Sequence, residues 1–481
     1  MKPNILFIVL DGLRADRCYG KKKSSITPNI DKLIQNGIYF NQTIASGQST
    51  LPSISSIFNS LYPFESLVPD RNLFKISPRI PTYISKLRDE GYKTFAIVHE
   101  PLIHLGFQNI FGDNLVTYNH VKEKLWSGLG EKVLENFSSI KKHEPWFCYM
   151  QFYDLNLLIY PNEERLQKGP IEINDSKYGE NQYERIISAQ DKWIGEILKQ
   201  VNLENTLVIF TSDHGLESGA YNDELQKFND EQRIRKIVSP GSVFKTGMKF
   251  KSIIPFRKKF SEKYKEYVQN IKEKKQIPEL ENLKNQDLSP YVKRLMQFSI
   301  WQTSHVYDDR VHVPLVFCGY HIASGKIINK LTRSIDIFPT IFDICDLDNL
   351  KNRRGQSLQP LMIDEEFNEM PVFVESSVNV IKSPNSNVIG IRTSKFKYFR
   401  DKKNPEKSVH LFDLISDPLE EYNIANENKE KIKEFENKLK AVNDKLDFNI
   451  KEISDEIGID EIELDKAKEI EEKLRQAGYM N

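Results

Sequence analysis

The sequence predicts an α/β fold, a mostly parallel sheet with helices on both faces, followed by a small C-terminal α+β part and a helical tail. Three observations carry this expectation. Short, continuous apolar runs recur as far as Phe317, amphipathic helical patterns separate them, and beyond about residue 423 charged, helix-forming sequence takes over. Strands covered on both faces read as unbroken apolar runs, because crossover helices shield each side from water.

The first run, Ile5 to Leu10, stops at Asp11 without a small-residue cleavage site. It is too short for the apolar part of a signal peptide and is read as the first buried strand, which places the expected location in the cytoplasm. Helical spacing follows at Ile30 to Asn36 and at Ile80 to Glu90, the latter leading into a strand at Thr94 to Val98. The run Trp146 to Phe152, the long helical pattern Tyr183 to Gln200 and the strand Thr206 to Thr211 repeat the alternation, and Val313 to Phe317 adds a further strand. In such sheets ligands gather at the carboxyl ends of strands. That rule singles out Asp11, directly after the first strand, and Asp213 with His214, directly after the strand Thr206 to Thr211. Two carboxylates and an imidazole at strand ends suit a divalent metal.

The chain has 481 residues, with 68 Lys+Arg balanced by 68 Asp+Glu. Zero net charge excludes a polycation built for nucleic acid, and no apolar stretch approaches the ~18 residues of a membrane span. The four cysteines (Cys18, Cys148, Cys318, Cys345) are scattered, without metal-ligand spacing, and read as buried free thiols. Charge is concentrated locally. Between Arg233 and Lys275, 14 Lys+Arg face three Glu, with apolar residues such as Phe244, Phe250 and Phe256 interleaved. This basic amphipathic pattern, inside an insertion at 222–304, suits a charged helical cap or an anionic membrane surface. The expected organisation is a catalytic α/β domain at 1–345 carrying the insertion, an α+β subdomain at 346–425 and a helical tail at 426–481.

Longer words make the resemblance specific. Pro3-Asn4-Ile5-Leu6-Phe7-Ile8-Val9-Leu10-Asp11-Gly12-Leu13-Arg14, Thr50-Leu51-Pro52-Ser53, Ser212-Asp213-His214-Gly215, Tyr307 to Leu315, Asp336-Ile337-Phe338-Pro339-Thr340 and Leu411 to Pro418 occur in this order. Together they resemble the sulfatase family of the alkaline phosphatase superfamily over nearly the whole chain. The resemblance implies an alkaline-phosphatase-like sheet and an ester hydrolase or transferase.

The departures from that family are as informative. Thr50 stands where the family oxidises Cys or Ser to formylglycine, Ile54 replaces the guiding Arg, Gly12 the second Asp of the first metal turn, and Asn156 a His. Thr at this position is similar to lipoteichoic acid synthases and phosphoethanolamine transferases, which implies a Thr50 nucleophile and a phosphothreonine intermediate. The implied metal ligands are Asp11, Thr50, Asp213 and His214, holding one divalent ion (Mn, Mg, Zn or Ca). A second ion is not expected, because Leu158 occupies the offset from Asp154 where a His would serve. His99 and His305 are the candidate general acids, and Asp154 with Asn156 the candidate substrate-orienting pair. The expected partner is a phosphorylated or sulfated small molecule or glycan, such as a surface-glycan precursor. An anionic membrane surface at 233–275 would place the protein peripherally on the inner membrane face. The alternatives are a sulfuric ester hydrolase working without formylglycine and a non-catalytic relative that binds glycan or membrane.

Overall fold

A computed structural model describes residues 2–70, 73–158, 169–217, 287–301, 305–376 and 388–444. The chain forms two compact units, one comprising Met1–Ala220, Ser304–Pro418 and Asn423–Asn481, the other Tyr221–Thr303 and Leu419–Tyr422. The whole basic stretch 233–275 falls within residues 218–286, outside those described, and the helical tail beyond residue 444 also lies outside them.

The strands of the larger unit are β1 (Asn4–Leu10), β2 (Gly37–Ile44), β3 (Leu67–Asp70), β4 (Leu73–Ile76), β5 (Lys93–His99), β6 (Leu115–Tyr118) and β7 (Trp146–Phe152). They continue with β8 (Thr206–Thr211), β9 (His312–Gly319), β10 (Lys326–Arg333), β11 (Val372–Ser376), β12 (Val388–Arg392), β13 (Phe396–Asp401) and β14 (His410–Asp413). Eight of them form the central sheet in the order β10-β2-β9-β8-β1-β7-β5-β6. All pairings are parallel except those of β9, which runs antiparallel to both β2 and β8. The mostly parallel expectation holds, and the single reversal matters. Because β9 points the other way, the segment entering it arrives at the edge where the parallel strands end.

Continuous apolar strands do what their composition requires. All seven residues of β1 are buried; Ile5, Phe7 and Val9 enter one core, and Leu6, Ile8 and Leu10 the other. The first core stacks Phe7 on Phe338, with ring centroids 5.8 Å apart, and Phe338 on Tyr83 at 5.5 Å. The second is sealed by helix Gln182–Leu198, whose buried Ile186, Ile187 and Ile194 face the sheet. That helix starts where Asn181 accepts the Glu184 backbone N–H at 3.0 Å, and Tyr83–Asp89 starts where Thr82 accepts that of Ser85 at 3.1 Å. The four cysteines are free and buried.

A second, antiparallel sheet, β11-β12-β13-β14, carries helix Lys429–Asp444. Phe435 stacks on Tyr398 and Glu436 pairs with Arg400 at 2.8 Å. In the smaller unit, helix Pro290–Trp301 presents Arg294, whose Nη1 donates to the carbonyls of Leu419 and Glu420. No described helix is long and apolar enough to cross a membrane.

Phe338 joins the sheet to helix Ile337–Ile344 at the centre of the first core. Phe338→Ala is expected to cost about 3–5 kcal/mol, measured as the shift in denaturant midpoint at unchanged m-value.

Candidate metal centre and active site

The carboxyl ends of β1, β7 and β8 meet at one point. Asp11 N–H donates to the Phe152 carbonyl at 3.0 Å, and Ser212 Oγ donates to the Leu10 carbonyl at 2.7 Å while accepting the Leu13 N–H at 2.9 Å. Gly12 and Gly215 bridge the two turns. Gly12 has φ +85°, and a Cβ there would lie 2.6 Å from Leu216 Cδ1; one on Gly215 would lie 2.3 Å from the Asp309 carbonyl. A side chain at position 12 would therefore be strained and would need Leu216 to move.

The stitched turns aim Asp11, Asp213 and His214 at a shared space. One donor atom from each lies within 4.8 Å of the others, and all three are buried. Asp213 Oδ1 accepts the backbone N–H of His214 at 2.9 Å and of Gly12 at 3.3 Å, leaving Oδ2 3.5 Å from His214 Nε2. The His214 Nδ1–H donates to the Gly215 carbonyl at 2.9 Å, so Nε2 presents its lone pair. Asp11 Oδ1 lies 3.7 Å from that nitrogen. Burial, then the charge of Asp213, pushes the Asp11 carboxyl up to about 7, and burial pushes Asp213 up to about 6. Burial also lowers the His214 pKa and keeps its ring a neutral donor. Two buried carboxylates that resist sharing negative charge, with an imidazole lone pair beside them, fit a divalent cation.

Thr50 reaches the same space from β2. It is the first residue of the ten-residue helix Thr50–Asn59, and its Oγ1 donates to Asp11 Oδ2 at 3.2 Å and lies 3.4 Å from His214 Nε2. The loop before it is anchored to the second sheet, where Glu375 N–H donates to the Ser46 carbonyl at 3.0 Å.

The four residues expected as metal ligands are thus together. Asn156 joins them through Asp11, with Nδ2 2.7 Å from Oδ1. Asp154 is engaged elsewhere, accepting from Leu125 N–H and Gln190 Nε2, both at 3.2 Å. His99 lies at the end of β5 among Tyr118, His120 and Tyr153, with the Tyr153 ring 4.6 Å away. His305 lies in the segment entering β9, where its backbone N–H donates to Gln48 Oε1 at 3.1 Å and its Nε2 is 2.6 Å from Glu217 Oε1.

Sequence reasoning missed Gln151 and Glu217. Gln151 Nε2 donates to Asp11 Oδ2 at 2.7 Å, and its Oε1 accepts from Tyr149 OH at 2.8 Å, which fixes the amide's orientation. A lone Gln inside the apolar strand Trp146–Phe152 was the available signal, since a fully buried amide needs partners. Glu217, at the margin of a charged insertion, had no comparable signal.

The model of the sulfatase family matches residues 3–347. The chain belongs to the sulfatase family. A second model, that of the N-sulphoglucosamine sulphohydrolase C-terminal region, matches residues 297–446. Arylsulfatase K of Xenopus laevis is 27% identical over 145 residues, 29% of this chain and 27% of that protein. The chain therefore spans about a quarter of the length of such curated relatives. A putative sulfatase from Bacteroides thetaiotaomicron superposes with a TM-score of 0.61 at 16% identity, covering 96% of both chains. The phosphonate monoester hydrolase of Agrobacterium radiobacter gives 0.60 at 17% identity, covering 92% of this chain and 95% of that one. At these identities the superpositions establish the shared fold.

The raised carboxyls make the metal-free site pH-sensitive. Asp11 and Asp213 hold their protons more tightly in the fold than in the unfolded chain, so metal-free stability falls as pH rises from about 4 to about 7. A divalent cation displaces those protons, so its affinity is expected to rise about tenfold per pH unit for each proton displaced and to level off above about pH 7. Calorimetric titrations from pH 5 to 8 check this. Asp11→Asn is expected to abolish tight binding yet stabilise the metal-free protein at pH 8.

Proposed function

We propose that this sulfatase-family hydrolase cleaves phosphate esters, with diesters as the favoured class, using Thr50 as nucleophile. The observation that supports this reading is the position of Thr50 Oγ1, within 3.4 Å of both Asp11 and His214 at the start of a buried helix. An oxygen there sits against the metal-ligand set and at the positive end of the helix dipole, a place that favours an anionic ester. A divalent ion held by Asp11, Asp213 and His214 would supply the charge that lowers the hydroxyl pKa and neutralises the ester oxygens.

The reaction proceeds in two displacements. Thr50 loses its hydroxyl proton to solvent and attacks phosphorus, the bond to the leaving alcohol breaks, and a phosphothreonine ester forms; solvent returns that proton when Thr50 is later displaced. Water or a second alcohol then displaces Thr50, whose oxygen regains a proton. His305, next to the nucleophile loop through Gln48, protonates the leaving oxygen and takes a proton back from the incoming hydroxyl. Asn156 and Gln151 hold Asp11 by hydrogen bonds to its two carboxylate oxygens, fixing where its charge points. Threonine has no aldehyde through which to collapse, so release requires this second displacement, which phosphorus accepts readily.

A second reading is favoured by the curated relatives, which carry the name arylsulfatase. Under it, the same residues hydrolyse a sulfuric ester without formylglycine. Aryl phosphodiester, phosphomonoester and sulfate esters assayed in parallel with each divalent metal separate the two. Thr50→Ala is expected to lower diester turnover by at least about 1,000-fold, and acid-quenched wild type is expected to yield a phosphorylated peptide containing Thr50. Faster sulfate cleavage, with no phosphopeptide, would select the second reading.

For the partner, we propose a phosphorylated or sulfated glycan or small molecule, approached at an anionic membrane surface through the basic stretch 233–275. Its 14 Lys+Arg supply the attraction. Replacing six of them by Gln is expected to weaken binding to anionic vesicles at low salt and to leave little difference at high salt. Identical binding by wild type and variant at low salt would refute it.

A further inference from the structure

Glu217 lies three residues beyond His214, and its carboxylate is shared by two cationic or proton-bearing partners. Oε1 is 2.6 Å from His305 Nε2 and 2.6 Å from Arg310 Nε. The side chain is 12% exposed and that of His305 4%. Backbone contacts fix this arrangement, since Gly215 N–H donates to the Arg310 carbonyl at 2.8 Å and the Gly215 α-carbon allows no side chain beside Asp309. The segment can reach this edge because β9 is the one reversed strand of the sheet.

A carboxylate paired with a guanidinium accepts and does not donate. Arg310 and His305 hold Glu217 well below the usual carboxylate range despite burial, so the His305 nitrogen facing it carries the hydrogen. Neutral imidazole has one N–H. With Nε2 committed to Glu217, Nδ1 is the atom that gains and loses a proton. The residue is held at two points: its backbone N–H binds Gln48, two residues before Thr50, and its ring Nε2 binds Glu217, three residues after His214. It leans on Tyr307, 5.3 Å between centroids. Burial lowers the His305 pKa and the Arg310 charge lowers it further, whereas Glu217 and Asp309 raise it.

We infer that Glu217 is a positioning residue for the ester-transfer reaction, locking His305 in the Nε2–H tautomer so that Nδ1 exchanges the proton beside the nucleophile loop. This inference rests on the proposed Thr50 chemistry and adds a residue to it. Proton balance is unaffected, because Glu217 keeps its charge throughout and His305 returns each proton it takes.

The test compares Glu217→Gln, Glu217→Asp, His305→Ala and Thr50→Ala, each as the full chain with metal. Glu217→Gln keeps an acceptor oxygen and removes the charge. Its kcat is expected to fall about 10–100-fold with KM changed less than about threefold. The alkaline limb of its pH–rate profile should move to lower pH, because the charge that favours imidazolium is gone. Glu217→Asp should recover part of both effects. Two readouts do not depend on turnover. Metal affinity by calorimetry should be unchanged in Glu217→Gln, and ¹⁵N NMR of the His305 ring at pH 8 should show the Nε2–H tautomer in wild type and a mixed state in the variant. A folded Glu217→Gln with the wild-type profile, or a wild-type ring protonated on Nδ1 alone at pH 8, overturns the inference; the ring measurement decides even if no Glu217 variant folds. Full turnover by Thr50→Ala would instead overturn the nucleophile reading, which the Glu217 variants do not address.

Discussion

Two carboxylates buried at the ends of adjacent parallel strands govern this structure. Asp11 and Asp213 are both fully inaccessible, and each raises the cost of ionising the other. Surrounding groups hold such a pair in place, and a retained proton or a bound cation relieves its charge. The neighbourhood supplies the holding: backbone N–H groups on Asp213 Oδ1, two side-chain amides on Asp11, and a His214 ring whose outer nitrogen is tied to its own turn. The sheet's hydrophobic faces on either side keep that geometry rigid, because every residue of β1 and β8 is buried.

The second constraint is strand direction. Seven parallel strands deliver Asp11, Gln151 and Asp213 to one edge, and the single antiparallel strand delivers His305 and Arg310 to the same edge from the opposite sense. The C-terminal sheet supports this indirectly. Lys397 and Arg392 engage Asp308 at 2.7 and 3.4 Å, and Arg14 engages Asp309 at 2.8 Å, so the turn before β9 is clamped between β13, β12 and the turn after β1. Each is a buried or half-buried pair in which removing one partner leaves a charge uncompensated. Their contribution is to placement more than to net stability.

The clustering of Asp11, Asp213 and His214 was legible because its physics is local. An Asp directly after an apolar strand and an Asp-His-Gly turn after another stand at strand ends, where parallel sheets bind ligands. Asn156, expected to orient substrate, instead donates to Asp11, a contact that no local pattern announces. Asp154 shared its loop and looked equivalent, yet its oxygens are taken by Leu125 and Gln190. Whether a loop side chain turns toward or away from a site depends on partners distant in sequence.

By itself the sequence determined the α/β class, the apolar strands, the helix starts and the ordered words of the family, because periodicity, capping and turn chemistry act within a few residues. Only the tertiary structure decided that β9 runs backwards, that Gln151 faces Asp11, and that Glu217 meets His305 across 88 residues. Those outcomes depend on which strands pair and which buried polar atoms must then find one another. That matching is long-range, and it is settled only once the chain has closed around them.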